Sequence, residues 1–158
     1  MELRVAAVGR RGPFDDETDG YLTRAQAAGR PLGWRGPNLK AVEAPKALRG
    51  PERQAREAAL LSAALPESGR VVFLDERGED LSSRHLARLI ERERDGLAFL
   101  IGGADGFADT LRADLAPRTA TVLRFGRAVW PHMLVRLMLA EQLYRAATIL
   151  TGHPYHRD

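Results

Sequence analysis

Leu97-Ala98-Phe99-Leu100-Ile101-Gly102-Gly103-Ala104-Asp105-Gly106 is the stretch that decides the fold. Its unbroken apolar run stops on a glycine pair, and a helix-like segment follows over residues 107–115. A strand with one solvated face alternates in polarity, whereas a continuous apolar run is expected of a strand covered on both faces. Upstream, Val71-Val72-Phe73-Leu74 repeats the pattern over residues 70–74. A polar loop over 75–81 and a helix to residue 93 come next. Ser82 or Ser83 caps that helix, and Leu86, Leu89 and Ile90 share one of its faces. Downstream, residues 120–123 read as a third strand and 125–130 as a loop. Pro131 then starts a long last helix that Gly152 and Pro154 stop.

The N-terminal half is less regular. Residues 3–8 form a short apolar strand ended by Gly9, and residues 14–28 a helix with Asp15, Asp16 and Glu17 at its positive end. A Gly- and Pro-rich loop over 30–37 and a weak strand over 39–44 follow. Pro51 opens a further helix that Pro66 closes. Strands alternating with helices predict an α/β fold, a mainly parallel sheet with helices on both faces. Such sheets bind ligands beyond the carboxyl ends of their strands. The loops after Leu74, Ile101 and Arg124 are therefore the expected binding edge.

The chain has 158 residues, which fits one domain of roughly 100–200. With 44% hydrophobic and 28% charged residues, it has the composition of a folded globular protein. The absence of cysteine excludes a disulfide framework, a thiolate metal site and a cysteine nucleophile. Residues 1–117 carry 18 Lys+Arg against 19 Asp+Glu, a net of −1, whereas residues 118–158 carry six Arg and two acids, a net of +4. Three of the four histidines also lie in that last quarter, so a polyanionic partner is expected there. The first apolar run is too short and too quickly charged for a secretory segment. The last helix carries Arg136, Glu141 and Arg145, each expensive in hydrocarbon. A soluble, cytoplasmic protein is the expectation.

Three constellations invite chemistry. The Gly102–Gly106 turn follows a strand and precedes a helix, so it either admits backbone close to a ligand or is a plain tight turn. It lacks the spacing of a dinucleotide fingerprint and the Lys-Ser/Thr of a P-loop. The last helix is apolar nearly all round, apart from a stripe of Glu141, Gln142, Arg145 and Thr148. A second subunit is an economical way to cover such a helix. Arg136, on the opposite side, needs an acidic or phosphate partner, unless it snorkels or pairs internally. The tail Thr151-Gly152-His153-Pro154-Tyr155-His156-Arg157-Asp158 carries groups suited to a base and a phosphate, although an ordered tail that only seals the core has the same look. His153 and His156 have no third ligand nearby, so no metal site is expected. No nucleophile-elbow sequence supports Ser-His-Asp hydrolysis.

Phe125-Gly126-Arg127-Ala128-Val129-Trp130-Pro131-His132, then Arg136, then Glu141-Gln142-Leu143-Tyr144-Arg145-Ala146 and Tyr155-His156, resembles the RlmH family. These are SPOUT-class methyltransferases that act on N3 of a pseudouridine in large-subunit ribosomal RNA. The likeness spans the chain and is strongest from residue 70 onward. It implies a C-terminal part threaded as a deep trefoil knot, a homodimer, and S-adenosylmethionine as cofactor. Cofactor contacts carried over by position fall on Leu74, Gly102, Phe125, Gly126, Arg127, Ala128, Val129 and Trp130, the three strand-end loops already picked out. The family commonly has a Ser and a Met-Thr pair where this chain has Gly126 and Ala128-Val129. Backbone contacts to adenine survive that change; side-chain hydrogen bonds do not.

The resemblance also implies a proton-handling set, with Tyr155, His156, Arg157 and His132 as the catalytic candidates. Arg127, Arg136 and Arg145 are the expected RNA contacts, shared across a dimer so that one subunit's tail serves the other's cofactor site. The expected partner is ribosomal RNA in an assembled large subunit or ribosome, and neither a membrane nor a metal is expected. Two other readings remain at this point: a ribosome-associated binding protein of the same fold without turnover, and a nucleotide-binding enzyme using the glycine turn for phosphate.

Overall fold

Each central strand sends alternate side chains into two separate cores, which is why its sequence is apolar without interruption. Leu3, Val5, Ala7, Val72, Leu74, Leu97, Phe99 and Ile101 face one core, whereas Ala6, Val8, Val71, Phe73, Ala98 and Leu100 face the other. In the computed structural model, which describes residues 1–157, five strands form one sheet: β1 (Glu2–Val8), β2 (Arg35–Val42), β3 (Arg70–Asp80), β4 (Gly96–Ile101) and β5 (Thr119–Arg124). Asp158, the end of the tail, lies outside the described residues. The order is β2-β1-β4-β3-β5, and every pairing is parallel.

Helices α1 (Asp15–Gly29), α3 (Ser83–Arg92) and α5 (His132–Thr151) contribute to the first core, and α2 (Gly50–Ala63) and α4 (Asp109–Leu115) to the second. Ser82 caps α3 by accepting the His85 N–H at 3.1 Å. Pro51 stands in the first turn of α2, and Pro131 caps α5. Gly152, at φ +69°, ends α5 in the left-handed conformation. No helix among the described residues is long and apolar enough to cross a membrane.

Two boundaries differ from the sequence expectation. The loop expected over 30–37 is only a 3-10 turn, Arg30–Leu32, after which β2 starts at Arg35, four residues earlier than expected. Pairing overrides composition here: the Arg35 N–H donates to Met1 O at 2.9 Å, and Gln26 Nε2 donates to Pro37 O at 2.9 Å. The polar segment 75–81 is mostly a continuation of β3, with Glu79 and Asp80 opposite Leu123 and Arg124 across a register shift. Gly78 permits this, because a Cβ there would lie 2.7 Å from the Val122–Leu123 backbone.

Candidate active site

The carboxyl ends of β3, β4 and β5 open onto one cleft of about 900 Å3. Its lining includes the buried side chains Leu74, Ile101 and Leu123 from those three strands. The Gly102–Gly106 turn forms one wall, residues 125–131 another, and His132 and Val135 from the first turn of α5 complete it. That volume falls in the range of pockets that enclose cofactor-sized ligands.

The glycine turn is held from behind by α2. Within the turn, the Gly106 N–H donates to Gly103 O at 3.0 Å. Arg53 donates through Nε and a terminal nitrogen to Asp105 Oδ2 at 3.1 and 2.5 Å, and Gln54 Nε2 donates to Asp105 O at 2.9 Å. A Cβ on Gly103 would sit 3.0 Å from Val8 Cγ1 and 3.2 Å from both carboxyl oxygens of buried Glu57. Burial pushes that carboxyl up, with Arg53 opposing. Glycine at 103 lets the turn lie this close to α2 without crowding it.

Asp75 marks the end of the buried part of β3. It accepts the Arg77 N–H at 2.9 Å and an ion pair from Arg112, whose guanidinium lies over the Phe73 and Phe107 rings at 5.0 and 5.2 Å. Burial alone would raise its pKa. The Arg77 N–H, the Arg77 side chain and Arg112 together outweigh it and hold the carboxyl below the usual carboxylate range. In the third loop Trp130 Nε1 donates to Phe125 O at 2.7 Å. Gly126, at φ +76°, has open space where a side chain would project. At the cleft rim, burial and then the charge of Arg136 hold the His132 imidazole below the usual histidine range, so it is neutral at pH 7.

The family model described as "Predicted SPOUT methyltransferase" matches residues 1–156. The chain belongs to this family. It is similar to the protein named Ribosomal RNA large subunit methyltransferase H in Cereibacter sphaeroides, at 51% identity over 164 residues and 99% of each chain. The proteins of the same name in Paramagnetospirillum magneticum and Xanthobacter autotrophicus are 48% and 46% identical over 163 residues, again covering 99% of each chain.

In this SPOUT methyltransferase, Leu74, Gly102, Phe125, Gly126, Ala128, Val129 and Trp130 all line the cleft. Arg127 is on the same loop but is exposed and outside the lining. His132 lines the cleft, whereas Tyr155, His156 and Arg157 do not. The tail instead doubles back along α5. Tyr155 donates its hydroxyl to Glu141 Oε1 at 3.0 Å and packs on Tyr144 with ring centroids 4.4 Å apart. His156 Nδ1 is buried without a hydrogen-bond partner among the described residues, and Arg157 is exposed. Among the described residues, no cluster of three or more His, Cys, Asp or Glu side chains is placed to hold a metal ion.

Two of the expected RNA contacts, Arg136 and Arg145, are engaged within the fold. Arg136 is buried at 2% exposure and donates through one terminal nitrogen to Val8 O at 3.0 Å and Gly9 O at 2.6 Å, whereas its Nε and its other terminal nitrogen are buried without a hydrogen-bond partner among the described residues. Burial lowers its pKa, with Asp15 and Asp19 opposing. Arg136 thus anchors the end of β1 to α5. Arg145 is committed to Glu141 at 2.5 Å and lies over the Tyr155 ring at 5.0 Å.

Sequence reasoning missed Arg53, Gln54, Asp105, Glu57 and Arg112. Residues 53 and 105 sit on different elements, and nothing in either local pattern signals the pairing. Asp75 had a visible signal, an acid closing an apolar strand at the expected binding edge.

Proposed function

We propose that this chain, as a single domain over residues 1–158, is an S-adenosylmethionine-dependent methyltransferase acting on N3 of a pseudouridine in large-subunit ribosomal RNA. The observation that carries the reading is the cleft: three strand-end loops of a SPOUT methyltransferase converge on an apolar floor and a wall rich in glycine and exposed backbone. The relatives' printed name supports the ribosomal RNA substrate.

The residues fit the cofactor. Leu74, Ile101 and Leu123 offer an apolar seat for adenine, and the open space at Gly126 leaves backbone within reach of it. Gly102, Phe125, Ala128, Val129 and Trp130 complete the contact set, with Arg127 at its outer edge. When bound, S-adenosylmethionine supplies a methyl group already activated by its sulfonium. The protein's task is alignment, which can contribute about 7–11 kcal/mol.

The N3 proton must leave before or during transfer. The position of His132 at the cleft rim and its lowered pKa support it as the group that accepts the proton. Tyr155 is less suited. Burial, then hydrogen bonds with Tyr21 and Glu141, raise its pKa well above the usual phenol value, so it stays protonated and acts as a donor. His156 and exposed Arg157 remain available to orient the ring and to stabilise negative charge on it.

Glu141, where the tail is pinned, lies nine residues from His132 along α5, or about 14 Å at 1.5 Å per residue. That separation supports a homodimer in which the tail of one subunit completes the cleft of the other. In this reading the domain recognises the shape of an assembled large subunit or whole ribosome in the cytoplasm. The trefoil knot expected in the C-terminal part belongs to the same reading.

Titration calorimetry with S-adenosylmethionine, with ATP as the competitor, tests the cofactor assignment. Stoichiometric binding of S-adenosylmethionine and none of ATP is expected; the reverse contradicts it. Deleting residues 155–158 is expected to leave that affinity within twofold and to abolish methyl transfer.

A further inference from the structure

Helix α3 buries Leu86, Ala87 and Ile90 against the first core and turns a different chemistry outward. Arg84, Arg88 and Arg92 are all exposed and stand at i, i+4 and i+8, so they form one row along the helix. Glu91 is the one exposed acid of α3. Whole-chain charge counting hides this row, because residues 1–117 sum to −1. Arg88 and Arg92 have no ion-pair partner among the described residues, although acids are abundant elsewhere and most other structured arginines here are engaged, as Arg53, Arg112, Arg124 and Arg145 are.

Successive positions in the row are separated by about 6 Å along the helix axis, which lets neighbouring guanidinium groups reach successive groups of one strand. Planar guanidinium is the side chain best matched to phosphate, which it binds in a bidentate fork. The row is also tied to the tail. Ser83 Oγ, in the first turn of α3, donates to Gln142 Oε1 at 2.7 Å, and Gln142 Nε2 donates to Glu141 Oε2 at 2.7 Å. The other oxygen of Glu141 accepts the Tyr155 hydroxyl. Three hydrogen bonds thus connect the base of the row to the tail.

We propose that the Arg88–Arg92 face of α3 is an RNA-docking ridge that grips the phosphodiester backbone of ribosomal RNA and, through Ser83, Gln142 and Glu141, holds it in register with the C-terminal tail. This rests on the ribosomal RNA reading above and adds to it the surface that does the docking. Electrostatic contacts of this kind position the substrate without reading its sequence.

The test uses the full chain carrying R88Q and R92Q together, compared with wild type in three measurements. Calorimetric affinity for S-adenosylmethionine reports folding and is expected to be unchanged. Filter retention of purified large-subunit ribosomal RNA is expected to weaken about tenfold. Its dependence on log salt concentration should flatten by about 1.4, the value for two single-strand phosphate contacts at about 0.7 each. Methyl transfer to ribosomes, where wild type supports it, should show a raised KM with kcat within twofold. An E91Q variant should move retention the opposite way. Retention and salt slope equal to wild type would overturn the ridge, and so would weaker retention with an unchanged slope, which would mark a non-phosphate contact. Wild-type protein that retains RNA but transfers no methyl group would overturn the functional reading instead, and the retention data would still judge the ridge.

Discussion

The hydroxyl of Tyr155 donates to Glu141 Oε1 at 3.0 Å, joining the C-terminal tail to the middle of the helix that precedes it. Glu141 also receives Arg145 at 2.5 Å and Gln142 at 2.7 Å, so one carboxylate organises the tail, the helix and, through Gln142, the start of α3. The motif Glu141-Gln142-x-Tyr144-Arg145 is thereby a structural unit: Tyr144 packs at a tilt against the same Tyr155 ring that Arg145 covers.

Replacing Glu141 by Leu should free the tail. A hydrogen bond to a charged group is worth about 1.5–3 kcal/mol, and the substitution removes the carboxylate that Arg145, Gln142 and Tyr155 all donate to. Faster amide exchange over residues 153–157, cofactor affinity within twofold and methyl transfer at least tenfold lower are the expected results. Transfer at the wild-type rate with a mobile tail would show that the tail's docked position is irrelevant to the chemistry.

His132 gives the reaction a pH signature. Its folded-state pKa is below the usual histidine value, by burial first and then by Arg136. The rate should therefore fall on the acid side only, at a lower pH than an ordinary histidine would give. The same depression contributes stability that is present above the unfolded value and is lost as pH falls through the folded one. A pH–rate profile of H132N should lack this acidic limb. An unchanged limb would assign the proton to another group.

Arg136 should behave as an anchor. R136M removes the terminal nitrogen that donates to both Val8 O and Gly9 O and should destabilise the fold by about 1.5–3 kcal/mol, read as a lower denaturant midpoint. The salt dependence of RNA retention should not change, because the side chain is buried. A flatter salt slope would return Arg136 to the RNA-contacting set.

A side chain at Gly103 should crowd the contact with β1 and α2. In G103A the new methyl group meets Val8 Cγ1 at 3.0 Å and the Glu57 carboxyl at 3.2 Å. The Gly102–Gly106 wall must then shift away from α2. Weaker S-adenosylmethionine binding, by about tenfold, is expected with a smaller change in thermal midpoint. Pairing the change with Glu57→Ala, which clears the space, should restore part of that affinity.

Most of the fold is legible from apolar runs. The segments 70–74 and 97–101 are long enough and pure enough to announce doubly covered strands, and the three loops leaving the expected sheet edge do converge on one cleft. β2 is harder to read, because Gly36 and Pro37 lie inside it, and only its parallel pairing with β1 makes it a strand. The continuation of β3 past Leu74 has the same cause: Glu79 and Asp80 pair with β5 despite being polar. In the candidate site, residue identity located the loops that line the cleft but not their supports. Arg53 and Asp105, or Arg112 and Asp75, meet only through tertiary structure. Charge counting misled in one respect. It placed all the positive excess in the last quarter, where Arg136 is buried and Arg145 is paired, and passed over the exposed row on α3.

The most direct test of the central claim is methyl transfer from isotope-labelled S-adenosylmethionine to assembled ribosomes and to isolated large subunits, with the modified nucleotide mapped by mass spectrometry. The account predicts one labelled site in large-subunit RNA, a pseudouridine carrying the methyl group on N3, and far less label on naked RNA. Label on another base, on protein, or nowhere despite bound cofactor would contradict it.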